Sequence, residues 1–147
     1  MKTALTGAQI FSGKEFFENH ALLIEDEAIV DIVCELNIPE AFQEKKLNGG
    51  ILSPGFIDLQ VNGGGGKLFN NSPDKESLNT IINAHQYFGT TSIMPTIISD
   101  SLNILQKCTA TISAEIHNNK SLLGAHIEGP FFNVKYRGVH QKQYINT

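Results

Sequence analysis

Residues 51–147 alternate between strand-like and helix-like stretches, and this alternation constrains the fold more than any other feature. Phe56-Ile57-Asp58-Leu59-Gln60-Val61 is a compact β-type run entered through Ser53-Pro54-Gly55. Ser72-Pro73 predicts an N-cap with proline at the first helical position. Leu78, Ile81, Ile82 and His85 then recur at helical spacing, and Gly89 suits the residue just past a helix end. Thr90 to Ile98, rich in β-branched residues, predicts a second strand. Asp100 is placed to cap a second helix with the stripe Leu102, Leu105, Thr109, Ile112 and Ile116, which Asn118-Asn119 ends. Leu122 to Ile127 predicts a third strand, stopped by Gly129-Pro130. Strand, helix, strand, helix, strand predicts a parallel α/β sheet. Only two and a half βα units are present, whereas an eight-fold barrel needs eight strands and roughly 250 residues.

The first fifty residues are β-rich instead. Ala4 to Phe11 predicts one strand, closed by Gly13. Ala21–Ile24 and Ala28–Val33 are two further runs, and Glu25-Asp26-Glu27 between them suits a hairpin turn. Pro39, the charged run Glu44-Lys45-Lys46 and the break Asn48-Gly49-Gly50 follow. The chain thus divides into residues 1–50, a small β domain, and residues 51–147, the α/β part.

Composition excludes several functions. Eleven Lys+Arg against fifteen Asp+Glu give a net charge of −4, and Arg137 is the sole arginine, which argues against a nucleic-acid partner. The longest stretch without Asp, Glu, Lys or Arg, Ser77 to Ser99, has spaced apolar residues broken by Gly89 and Pro95, so no membrane span is expected. Met1 to Gly7 has no apolar signal core. Cys34 and Cys108 are too few for a disulfide framework, which fits a reduced, cytoplasmic setting.

In parallel α/β folds active groups gather at the carboxyl ends of the strands. Three segments lie there. In Asp58-Leu59-Gln60-Val61-Asn62, followed by Gly63 to Gly66, the residues Asp58, Gln60 and Asn62 share one face of the strand. The glycines suit either a backbone cradle for phosphate or a plain turn. Thr91 to Ser99 reads as a buried strand. In Ala125-His126-Ile127-Glu128-Gly129-Pro130, His126 and Glu128 point the same way. A carboxylate at the mouth of a strand calls for a partner or a cation. Metal ligation by Glu128, with His126 as ligand or support, stands beside the alternative of a hydrogen-bonded core pair. Lys135, Arg137 and His140 suit either an anionic substrate or a solvated loop.

Leu52-Ser53-Pro54-Gly55-Phe56-Ile57-Asp58-Leu59-Gln60-Val61-Asn62-Gly63, Met94-Pro95-Thr96, His126-Ile127-Glu128-Gly129-Pro130-Phe131 and Gly138-Val139-His140 together resemble the N-acetylglucosamine-6-phosphate deacetylases of the amidohydrolase superfamily. The resemblance implies an α/β fold: the N-terminal part of a (β/α)8 barrel preceded by part of a small β-sandwich. It implies metal-dependent hydrolysis of N-acetylglucosamine 6-phosphate to glucosamine 6-phosphate and acetate. Glu128 matches the metal-binding glutamate, and Val139 and His140 match a substrate-contacting pair. Gln60 and Asn62 occupy positions where two-metal relatives carry His-x-His. Neutral amides ligate zinc poorly, so one divalent ion, zinc, is expected. Gln60, Asn62 and His126 are then expected to line the site. The family's general-base aspartate and two histidine ligands are expected beyond Thr147. This polypeptide alone is therefore expected to be inert and prone to aggregate, and the full-length form to be a homo-oligomer. The alternatives are another amidohydrolase of the dihydroorotase kind, and a non-catalytic module that holds a phosphosugar through the glycine loop and the Lys135–His140 group.

Overall fold

The computed structural model describes residues 1–146. The chain forms two compact units, Met1–Pro54 and Gly55–Thr147.

The first unit is all β apart from a 3-10 turn at Glu35–Asn37. Its strands are β1 (Lys2–Thr6), β2 (Gln9–Phe11), β3 (Phe16–Phe17), β4 (His20–Glu25), β5 (Ala28–Cys34), β6 (Gln43–Lys46) and β7 (Ile51–Leu52). They make one sheet ordered β5-β4-β1-β6 and another ordered β3-β2-β7. The single strand expected over Ala4–Phe11 is thus two strands in two sheets. Gly7 sits between them at φ 75, where a Cβ would lie 2.6 Å from the Leu47 carbonyl oxygen. Glycine alone lets the chain change sheets there without a clash. The β4–β5 hairpin forms as expected, with Glu25 opposite Ala28 and Asp26 at φ 54 in the turn. Its core is small: Ala4, Ala21 and Leu23, with Val33, Ile38 and Phe42 packed against them.

The second unit contains β8 (Phe56–Val61), β9 (Gly63–Gly64), β10 (Lys67–Leu68), α1 (Lys75–Gln86), β11 (Thr90–Ile98), α2 (Leu102–Glu115) and β12 (His126–Glu128). The main sheet is ordered β12-β11-β8, and both pairings are parallel. Val61 on β8 and Ile93 and Ile97 on β11 meet Leu78, Ile81 and Ile82 of α1 and Cys108 and Ile112 of α2 in one buried cluster with Phe69 and Leu122. Leu78, Ile81 and Ile82 of the first expected stripe and Ile112 of the second cover the sheet, with Leu105 and Ile116 partly buried; Leu102 is exposed instead, and Cys108, outside the expected stripe, is buried. Burial holds the Cys108 thiol up at about 11.

Three boundaries differ from expectation. Asp74, not Ser72, caps α1: its carboxylate accepts from the Ser77 N–H at 2.8 Å. Ser101, not Asp100, caps α2, its hydroxyl accepting from the Ile104 N–H, while Asp100 accepts from the Ser101 N–H at 2.7 Å. Each expected cap lies outside the helix because a better-placed acceptor stands nearer the first turn. The third strand is His126–Glu128 rather than Leu122–Ile127. Leu122 makes only an isolated bridge to Ile93. It looks strand-like because it fills the helix-facing core at 3% exposure. Among the described residues no helix is long and apolar enough to cross a membrane.

Two outcomes follow from these packing and capping contacts. Leu78 is fully buried, so Leu78→Ala is expected to lower stability by about 2–5 kcal/mol in urea denaturation. The Ser77 N–H holds the Asp74 carboxyl below its ordinary range. A folded-state value below the unfolded one gives stability that is fully present above the unfolded value and is lost as pH falls through the lowered one. Asp74→Ala is expected to melt below wild type at neutral pH. The two melts should converge in strong acid.

Candidate functional site

The site grows from the parallel ladder between β11 and β12. Thr96 stands opposite His126, and Ile98 opposite Glu128. Paired residues of a parallel ladder share a face, so these four lie on the side away from Ile93 and Ile97 and the helices. Glu128 ends β12, with its side chain 30% exposed. Its Oε2 accepts from the Gln60 side-chain amide at 3.2 Å, and its Oε1 lies 3.3 Å from His140 Nε2. β8 and β12 flank β11, so the Gln60 bond bridges the two outer strands of the sheet.

His140 arrives from the loop after Gly129 and is 5% exposed. Three contacts hold it. Its N–H donates to the Arg137 carbonyl at 3.1 Å, the Arg137 guanidinium donates to its carbonyl, and the Phe132 ring packs 4.4 Å away, centroid to centroid. Donation to the Glu128 carboxylate assigns the ring proton to Nε2. His140 Nδ1 is then a buried acceptor with no partner among the described residues, and Thr96 Oγ1 is likewise unpaired. Both partners of Glu128 are side chains other than lysine or arginine, so no fixed cation neutralises it through these bonds.

The structure therefore brings Gln60, Glu128 and His140 together. It does not bring the other expected lining residues into hydrogen-bonding contact with them. Asn62 lies past the end of β8 with an exposed side chain, and its carbonyl accepts from the Phe69 N–H at 3.1 Å. His126 is half-buried, in register with Thr96. Val139 is 87% exposed. Lys135, Arg137 and His140 share no cradle. Lys135 Nζ stands 5.5 Å over the Tyr136 ring, Arg137 is spent on the loop backbone, and His140 faces Glu128.

The glycine run has a packing role. Gly63 and Gly64 pair with Leu68 and Lys67 in a short hairpin. A Cβ on Gly63 would lie 2.2 Å from the Lys67 carbonyl, and one on Gly65 would lie 2.8 Å from the Thr80 methyl of α1. His85 Nε2 on α1 sits 3.0 Å from the Gly63 carbonyl. The glycines thus let the hairpin close onto α1.

Two buried residues at the end of β11 escaped sequence reasoning. Asn70 is 4% exposed and lies in a 3-10 turn, Phe69–Asn71. Its amide donates to the Ile98 carbonyl at 3.0 Å and to Asp100 at 3.2 Å, and its side-chain oxygen accepts from the Ile98 N–H at 3.0 Å. Ser99 is 5% exposed, and its hydroxyl donates to the Glu128 carbonyl at 3.4 Å. An asparagine in an apparent linker has no periodicity to flag it.

A catalytic zinc usually takes three protein ligands. Among the described residues no group of three His, Cys, Asp or Glu side chains converges in that way. Glu128 fits one oxygen ligand, but these residues do not complete a set.

Residues 3–52 match the family model described as the NagA composite domain. An N-acetylgalactosamine-6-phosphate deacetylase of Shewanella sp. (strain ANA-3) is 32% identical over 142 residues, which is 95% of this chain and 36% of that protein. An N-acetylglucosamine-6-phosphate deacetylase of Haemophilus influenzae is 31% identical over 146 residues, 99% of this chain and 38% of that protein. The crystal structure of N-acetylglucosamine-6-phosphate deacetylase from Pasteurella multocida superposes with a TM-score of 0.94 at 32% identity, over 100% of this chain and 39% of that one. Along nearly its whole length the chain resembles the N-terminal part of these N-acetylhexosamine-6-phosphate deacetylases. It spans well under half the length of these deacetylases. The mixed α/β fold expected from the sequence is the fold found.

The glycine hairpin adjoins the β8 end that carries Gln60 in this deacetylase-like segment. Gly63→Ala forces its new methyl into the Lys67 carbonyl. A loss of about 1–3 kcal/mol is expected in denaturant unfolding. Gly66→Ala, which meets no atom within 4 Å, separates the clash from the backbone preference.

Proposed function

We propose that the whole protein carrying this chain hydrolyses N-acetylglucosamine 6-phosphate to glucosamine 6-phosphate and acetate. The observation that carries the reading is the meeting of Gln60, Glu128 and His140 at the carboxyl end of three parallel strands. It occurs in a chain that resembles deacetylases along its whole length. In this reading Gly55–Thr147 is the opening of a (β/α)8 barrel, and Met1–Pro54 contributes to a small β-sandwich. Glu128 is one ligand of a single divalent ion, zinc, whose other ligands lie outside the described residues. When bound, such an ion supplies an activated water and polarises the acyl carbonyl.

The chain's own residues do the following. Gln60 donates to one Glu128 oxygen and fixes the plane of the carboxylate. His140, whose Nε2 bonds the other Glu128 oxygen here, is in this reading the residue that contacts the sugar or the acetyl carbonyl once the ion takes that oxygen, with the Phe132 ring and the Arg137 contacts restricting its rotation. Val139 is exposed and available to a ligand. Asn62 and His126 line the same end of the sheet. No proton transfer is assigned to a residue of this chain. Two free thiols, Cys34 and Cys108, support a reduced, cytoplasmic setting, and the active form is a homo-oligomer.

A second reading differs only at the sugar. A relative of equal similarity is named for the galactosamine epimer. Acetate release from both N-acetylhexosamine 6-phosphates by the whole protein separates them. Faster turnover of the gluco substrate is expected. Faster turnover of the galacto substrate selects the second reading, and no release from either overturns both. Binding of glucosamine 6-phosphate in calorimetry without acetate release returns the non-catalytic module. Glu128→Gln is expected to lower zinc content and to cut activity by at least ~100-fold. Unchanged zinc content rules out the ligand role.

A further inference from the structure

We propose that Asn70 is a positioning residue for Glu128: its side-chain amide finishes the sheet where β8 stops, and so fixes the strand end that aligns the carboxylate. The inference rests on the reading of Glu128 as a metal ligand.

The backbone sets the need. β8 pairs with β11 only as far as Val61 opposite Pro95. β11 continues to Ile98, so its last residues have β12 on one side and no strand on the other. In a strand the N–H and C=O of one residue point the same way. Those of Ile98 both meet Asn70, whose amide offers one donor and one acceptor in the spacing a neighbouring peptide would give. The second amide hydrogen is taken by Asp100, so the Asn70 side chain is committed to the end of this strand and the residues after it.

Ile98 is the residue in register with Glu128, and the next residue, Ser99, donates to the Glu128 carbonyl. Loosening this end of β11 therefore moves the backbone from which the Glu128 side chain projects. Removing the Asn70 amide leaves two part-buried backbone groups of Ile98 without partners, the costly half of a hydrogen-bond exchange. The fully buried Phe69 anchors the 3-10 turn in the core, and Asn70 beside it is buried against the end of β11. A residue with only a packing role would not pair both polar groups of one strand residue.

The test uses the whole protein, comparing wild type, Asn70→Ala and the core variant Leu78→Ala. Readouts are hydrogen exchange at residues 97–100, zinc affinity by chelator competition, and kcat and KM. Asn70→Ala is expected to speed exchange at the Ile98 amide and to weaken zinc at least ~10-fold. Leu78→Ala should lose stability and keep its zinc affinity. Wild-type zinc affinity in Asn70→Ala, or an equal loss in Leu78→Ala, overturns the inference. A wild type that binds no zinc overturns the metal reading instead. If Asn70→Ala does not fold, Asn70→Asp retains volume and the acceptor for the Ile98 N–H but loses both donations. It is then expected to fold with weakened zinc. Full zinc affinity there, or failure of both variants to fold, assigns Asn70 to the fold alone and overturns the proposal.

Discussion

The second unit is organised around a carboxylate that needs partners. Glu128 is drawn partly out of water at the end of a short strand, and a charge so placed is costly without hydrogen bonds. An amide from β8 and an imidazole from the loop after Gly129 provide them, one for each oxygen. Neither partner is near in sequence: Gln60 is 68 residues away and His140 is 12. Only the strand order β12-β11-β8 lets a side chain on one outer strand reach the other. The parallel sheet is thus what makes the site, and the helices that bury Ile93 and Ile97 make the sheet.

The two faces of the sheet carry this division of labour. Val61, Ile93 and Ile97 face α1 and α2 and supply the cohesive free energy, since each buried aliphatic side chain contributes about 1.5–3 kcal/mol. Thr96, His126 and Glu128 point the other way. β12 is only three residues long, so its position depends on what holds the end of β11. Buried asparagine and serine side chains do that, making the local bonds that a longer strand would make with its own backbone.

A carboxylate bonded to an amide and an imidazole differs from one bonded to lysine or arginine. With a fixed ammonium or guanidinium the charge is already neutralised and a second cation gains little. Donors other than a fixed ammonium or guanidinium orient the oxygens. The arrangement is a prepared but uncompensated acceptor, and the proposed ligand role of Glu128 rests on that property. The sole arginine is turned to the loop backbone, where it secures His140 rather than competing for Glu128.

Much of the architecture was legible because periodicity is local. The stripe Leu78, Ile81, Ile82, the β-branched run of β11 and the β4–β5 hairpin follow from spacing within a single element, and all stand where the pattern placed them. Glu128 and His140 stood out through the resemblance to a known family rather than through spacing, and their meeting is what the structure adds. The caps at Asp74 and Ser101, the break at Gly7 and the short β12 were not legible. The caps are settled within one turn, where neighbouring polar residues compete for the same N–H groups and spacing does not rank them, whereas the break at Gly7 is set by the Leu47 carbonyl, a distance across the fold. The same reason hides Asn70, whose three bonds all go to residues 28 or 30 positions away. The sequence by itself determined the two helices, the longer strands and which side chains are capable of the chemistry. The tertiary structure alone decided which of them meet, because side chains far apart along the chain become partners only when the sheet order brings their strands side by side.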